Sequence, residues 1–201
     1  MLINKYIFGL DLGQQNDYTV ISALETVFID NELNYSLPFI HKFPLKTPYP
    51  DIVNSISKFI ENKLYIKNDY ILVIDYTGVG HPVVDLFKKR NMKIISINIT
   101  GGNKSIWASR LEANVPKRDI VSSIQVVMQN NRLKIASDLP LLADLNREFL
   151  GFKVKIAANG RDSYSAVSGL HDDIIMSIGI ALWYGENRNK SGSNVRIIGG
   201  N

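Results

Sequence analysis

Four aspartates stand where apolar segments stop or start. Asp11 ends the run beginning at Tyr6, Asp75 ends YILVID (70–75), and Asp172 and Asp173 open IIMSIGIALW (174–183). Carboxylates gathered from such distant positions repel one another, so they are stable together only around bound cations or with some of them protonated. Oxygen donors suit Mg²⁺ or Mn²⁺. Two such ions about 3.5–4 Å apart activate water and stabilise the leaving oxygen in phosphodiester cleavage. Each acid alone has an ordinary explanation as a loop, turn or cap residue, and Asp172 or Asp173 suits a helix N-cap. Apolar segments rarely end repeatedly in unpaired acids, however, so it is the set that points to chemistry.

The elements that must position these acids follow from hydrophobic periodicity. Residues 5–12 read as a buried strand, 18–29 as a second and 33–43 as a third, which makes an antiparallel meander. Asp51 is expected to cap a helix running to about residue 64, with Ile52, Ile56, Phe59, Ile60 and Leu64 on one face. Residues 70–75 form a short continuous apolar run of the central-strand kind. A tight turn at 77–80, a helix over 82–90 and a strand over 93–99 follow. Residues 100–116 read as a long basic loop holding Trp107, which is expected to pack beneath it. Then come a helix (118–130), a short strand (132–135), a helix (139–150), an edge strand (152–156) and a polar loop (157–169). Residues 172–184 are apolar almost all round and predict a buried helix. The expected fold class is α/β: a mixed sheet, three antiparallel strands then parallel ones, with helices on both faces. Residues 1–185 make one domain, and 186–201 a flexible tail.

Length and composition agree with one folded domain. The chain has 201 residues, 45% hydrophobic and 21% charged, which excludes a disordered chain. No run of eighteen apolar residues occurs, so no membrane span or membrane partner is expected. The absence of cysteine removes disulfides, zinc–thiolate clusters and thiol nucleophiles, and an intracellular setting is expected. The net charge of +4 is unevenly spread: −4 over residues 1–85, +8 over 86–134 and zero over 135–201. The basic block holds Lys88, Lys89, Arg90, Lys93, Lys104, Arg110, Lys117, Arg118, Arg132 and Lys134. A block of this kind favours a polyanionic partner, although Lys88, Lys89 and Arg90 also suit the end of a helix dipole.

Together these segments resemble the nuclease domain of the large terminase subunit of tailed bacteriophages, which has a ribonuclease H-like fold. GLDLGQQNDYTV (9–20) is similar to the family's first motif, VIDYTGVGHPVVDLF (73–87) to its second and GLHDDIIMSIGIALW (169–183) to its third. NVPKRDIVSSIQVVMQNNRLKIA (114–136) is similar to the helix and strand that follow the family's basic loop. The resemblance implies that Asp11, Asp75 and Asp173 are catalytic metal ligands, that Asp172 is a fourth acid or the alternate ligand, and that Asp17 is an accessory carboxylate at the metal site. It implies two Mg²⁺ or Mn²⁺ ions and endonucleolytic cutting of double-stranded DNA with little sequence preference. In the parent protein that cut would separate a filled head from the concatemer. Lys104, Arg110, Lys117 and Arg118 are expected to line a DNA groove leading to the acids. His171 has two readings: orienting water or a phosphate, or, more commonly for a loop histidine beside two acids, simply partnering them.

The family's packaging ATPase part is not matched. GxxxxGK[ST] does not occur, and GGNKS (101–105) has Asn103 where the last glycine belongs. The resemblance therefore implies an excised nuclease domain. The parent's partners would be that ATPase, the portal and the small terminase subunit, in the host cell cytoplasm. Two other enzyme readings remain. Another ribonuclease H-like nuclease, such as a Holliday-junction resolvase, would share the chemistry. An actin-like phosphotransferase would use GLDLGQQ and YTGVG to bring backbone N–H groups to phosphate. A basic binding module with structural acids is the non-enzymatic alternative.

Overall fold

The computed structural model describes residues 5–13, 17–62, 69–156, 162–166 and 172–188. An eight-stranded mixed sheet forms its middle layer, in the order β6-β7-β5-β4-β1-β2-β3-β8. The strands are β1 (Tyr6–Asp11), β2 (Val20–Ile29), β3 (Glu32–Lys42), β4 (Tyr70–Asp75), β5 (Ile94–Thr100), β6 (Ile106–Trp107), β7 (Glu112–Pro116) and β8 (Leu133–Ile135). β1, β2 and β3 are the expected antiparallel meander, while β4 joins β1, and β5 joins β4, in parallel. Asp30 and Asn31, at φ 51° and 64°, make the two-residue turn between β2 and β3. Two left-handed residues match the twist of a hairpin, and Asp and Asn adopt that conformation more readily than most.

Among the described residues five helices cover both faces: α1 (Tyr49–Asn62), α2 (His81–Lys89), α3 (Lys117–Gln129), α4 (Leu142–Gly151) and α5 (Asp173–Arg188). One core cluster joins Phe8, Leu10, Leu72 and Ile74 to Ile52 and Ile56 of α1 and to Val84 and Phe87 of α2. The other joins Ile7 and Val73 to Ile120 and Ile124 of α3, Leu145 of α4 and the apolar residues of α5. The central strands are apolar without a break because both of their faces are covered. Helix α5 is apolar nearly all round because the sheet lies on one side of it and α3 and α4 on the other.

Four expected boundaries change. The 100–116 segment is not one loop. β7 pairs parallel with β5, and β6 pairs antiparallel with β7 at the sheet edge. Ala113 and Val115 are buried while Glu112 and Asn114 are only partly so, and this polar–apolar alternation gives no continuous apolar run. β9 (Phe152–Ile156) does not edge the main sheet; it pairs with β10 (Asp162–Ala166), inside the expected polar loop, as a separate two-stranded sheet. Asp51 lies in the first turn of α1 rather than capping it, because Pro48 already accepts the N–H groups of Asp51 and Ile52. Helix α5 continues to Arg188, past residue 185. There Glu186 accepts two bonds from Arg132 at 2.8 Å and one from the Tyr35 hydroxyl at 2.8 Å.

Candidate active site

Asp11 and Asp75 are lateral neighbours in the β1–β4 register, at the C-terminal ends of both strands. Side chains alternate faces along a strand. Both acids share the parity of Ile7 and Val73, which face α5, and so they too lie on the α5 side. Gly9, with the same parity, explains how the helix comes near. A Cβ built at Gly9 would stand 1.7 Å from the Ser177 carbonyl oxygen, so the α5 backbone rests directly on β1. Asp173 precedes Ser177 by one helical turn, and Asp11 follows Gly9 by one pleat. The glycine contact thus sets the approach of Asp173 to Asp11.

The result is an open pocket of about 390 Å³ lined by Asp11, Asp17, Asp75, Lys117, Asp172 and Asp173, together with Leu12, Gly13, Thr77, Ile99 and Met176. Asp75 and Asp173 are each 8% exposed. Removal from water, then the charges of Asp75, Asp173 and Asp172, push the Asp11 carboxyl well above the usual carboxylate range, with Lys117 opposing. Asp75 is pushed up to about 6 by burial, against the hydrogen bonds of Thr77 and the charge of Lys117. The Thr77 N–H donates to Asp75 Oδ1 at 2.8 Å, and the Thr77 hydroxyl accepts the Ile99 N–H at 2.6 Å, so the β4 exit turn is tied to β5. Lys117, the first residue of α3, donates to Asp172 Oδ2 at 2.7 Å.

The pocket thus gathers all five sequence-predicted carboxylates, Asp17 at its exposed rim. They are hard oxygen donors under mutual repulsion, a set whose chemistry suits a divalent cation. Among the described residues, no three Asp, Glu or His side chains already stand arranged as a finished ligand shell. The salt bridge to Lys117 and the turn bond to Thr77 occupy oxygens that a cation would compete for.

The four predicted DNA contacts separate. Lys117 is the one of the four that lines the acid pocket. Arg118 bonds Asn103 and pairs with Asp119, pinning the 101–104 bend. Lys104 borders another groove with Asp119, Trp183 and Glu186, and Arg110 is exposed in the turn between β6 and β7. Trp107, in β6 rather than beneath a loop, packs against Trp183 of α5 with ring centroids 5.6 Å apart. Lys88 pairs with Asp85 and Arg90 bonds Asn54, in keeping with their helix-end reading. Arg132 leaves the basic surface altogether, since it is buried against Glu186 and the Leu33 carbonyl. His171 lies outside the described residues.

One residue beside the site went unread. Glu148 of α4 is 7% exposed, and its Oε2 accepts the N–H groups of both Ile174 and Ile175 at 3.0 Å. Burial first, then the charges of Asp173 and Asp172, push its carboxyl up to about 7, against those two hydrogen bonds. Its only sequence signal is an acid three residues after Leu145 on a buried helix face.

No protein-family model matches this sequence, and no curated protein matches it. Solved structures do match its fold. The large terminase nuclease from the thermophilic phage G20c aligns with a TM-score of 0.65 at 20% identity, over 91% of this chain and 82% of that one. The same nuclease with bound magnesium aligns with a TM-score of 0.64 at 20% identity, over 89% and 80%. The human cytomegalovirus terminase nuclease domain, soaked with manganese, aligns with a TM-score of 0.56 at 9% identity, over 90% and 83%. This chain therefore has the ribonuclease H-like fold of the terminase nuclease domains.

Proposed function

We propose that this chain is the nuclease domain of a terminase large subunit and cuts double-stranded DNA, with little sequence specificity, by metal-dependent phosphodiester hydrolysis. The observation that carries the reading is the lateral pairing of Asp11 with Asp75 on adjacent parallel strands, in one pocket with the first residue of α5. Neighbours of the same fold have been solved with bound magnesium, cobalt and zinc and soaked with manganese, which supports dependence on a divalent metal.

In this reading Asp11, Asp75 and Asp173 hold two Mg²⁺ or Mn²⁺ ions, with Asp172 as a fourth acid and Asp17 at the rim. Such ions, when bound, supply an activated water and charge stabilisation at the leaving oxygen. The chain's own residues do the rest. Thr77 fixes the orientation of Asp75 through the β4 exit turn. Lys117 holds Asp172 and offers a positive charge at the pocket mouth for an approaching phosphate. Lys104, Arg110 and Arg118 give weaker, sequence-independent attraction to the duplex backbone from a wider surface. In the parent protein the partners are the packaging ATPase, the portal and the small subunit, and the setting is the host cell cytoplasm. Among the described residues no helix is long and apolar enough to cross a membrane.

Plasmid cleavage tests the reading. Supercoiled DNA with Mn²⁺ or Mg²⁺ should be nicked and linearised by the wild type and left intact by Asp75→Ala, which should still bind DNA. Equal cutting by Asp75→Ala would remove the acids from the chemistry. Preference for a four-way junction over linear duplex would move the reading to a resolvase, and ATP binding in calorimetry would move it to a phosphotransferase.

A further inference from the structure

We propose that Glu148 is a positioning residue for the acid pocket: it caps α5 from α4 and so lets Asp172 and Asp173 serve the pocket instead of their own helix terminus. The proposal rests on the metal-nuclease reading and adds to it a part that no motif supplies.

The first turn of a helix leaves N–H groups without intrahelical partners, and an Asp at the N-cap normally accepts from the second or third of them. Asp172 occupies that backbone position, because its carbonyl accepts the Met176 N–H at 2.8 Å. Its carboxylate does not cap the helix; it lies on Lys117 at 2.7 Å. The N–H groups of Ile174 and Ile175, the second and third residues of α5, go instead to Glu148 Oε2 at 3.0 Å each. One oxygen from an element twenty-six residues upstream does the capping. Leu145, fully buried three residues before Glu148, anchors the same face of α4. The positive end of the α5 dipole therefore meets a carboxylate of the fold. Support of this kind behind a ligand-bearing element typically contributes about 10–100-fold in metal affinity.

The test is Mn²⁺ calorimetry on the full chain, with amide exchange of Ile174 and Ile175 followed by NMR. Glu148→Ala should weaken Mn²⁺ binding about 10–100-fold and deprotect both amides. Glu148→Gln, which keeps an acceptor oxygen, should stay near wild type in both readouts. Glu186→Ala, which loosens the opposite end of α5, should lower Tm without moving the Mn²⁺ affinity. If Glu148→Ala does not fold, Glu148→Asp, one methylene shorter, should show the same losses. The proposal is overturned if Glu148→Ala or Glu148→Asp binds Mn²⁺ like the wild type, or if Glu186→Ala loses as much affinity at equal loss of Tm. A wild type that binds no Mn²⁺ would sink the metal reading, and amide exchange would then decide the cap by itself. Unchanged protection without Glu148 would show that no cap exists.

Discussion

At the residue scale the pocket pays for its chemistry in stability. Asp75 is pushed up from 3.8 to about 6 and Glu148 from 4.5 to about 7. A carboxyl whose pKa is raised on folding stabilises the fold below its unfolded value and loses that contribution as pH climbs through its folded value. The metal-free protein should therefore lose stability between about pH 4 and 7, on the order of 3 kcal/mol for each of these two groups, and the raised Asp11 carboxyl adds a loss of the same sign. Urea melts across that range would check this; Asp75→Asn should flatten the slope, and a flat wild-type profile would contradict the burial argument. Mn²⁺ at pH 8 should restore Tm. Asp11, Asp75, Asp172 and Asp173 were legible in the sequence because they bound apolar runs, whereas Asp17, in a polar turn, came only from the resemblance. Glu148 was not, because its role exists only once α4 lies against the start of α5, and no spacing in the chain encodes that contact.

At the element scale, the site depends on how closely α5 lies on β1. Gly9→Ala would drive a methyl group into the Ser177 carbonyl, a clash with backbone that no rotamer relieves. The expected loss is about 3 kcal/mol or more, read by chemical denaturation, and an unchanged midpoint would mean that α5 is not seated there. The far end of the same helix is fixed by the buried Arg132–Glu186 pair. Glu186→Ala leaves that buried arginine with only the exposed Glu32 carboxylate at 3.7 Å and the Leu33 carbonyl, and should cost about 3 kcal/mol. Plasmid cutting at low temperature should survive this change. The meander, β4 and α5 were readable from long apolar patterns. β6, β7 and β10 were not, since strands of two to five residues with polar alternation look like loop until a neighbouring strand pairs with them.

Across the whole molecule the charge pattern needs correction by burial. The basic block read from the sequence includes Arg132, which is internal, and Arg118, which holds a bend in its own chain. Lys104 and Arg110 keep exposed positions away from the acids, while Lys117 stands among them. Lys104→Ala combined with Arg110→Ala should weaken duplex binding and reduce the slope of log K against log salt by roughly 2 if both contact phosphate. Filter binding at several salt concentrations reads this, and an unchanged slope would place the DNA elsewhere.

The central claim is that carboxylates from β1, β4 and α5 grip divalent ions together. Its most direct test is a crystal soaked in Mn²⁺ with anomalous scattering measured at the manganese edge. Peaks bounded by Asp11, Asp75 and Asp173, and lost in Asp75→Asn, are the predicted result. A soaked crystal with no anomalous peak among these three side chains would contradict the account.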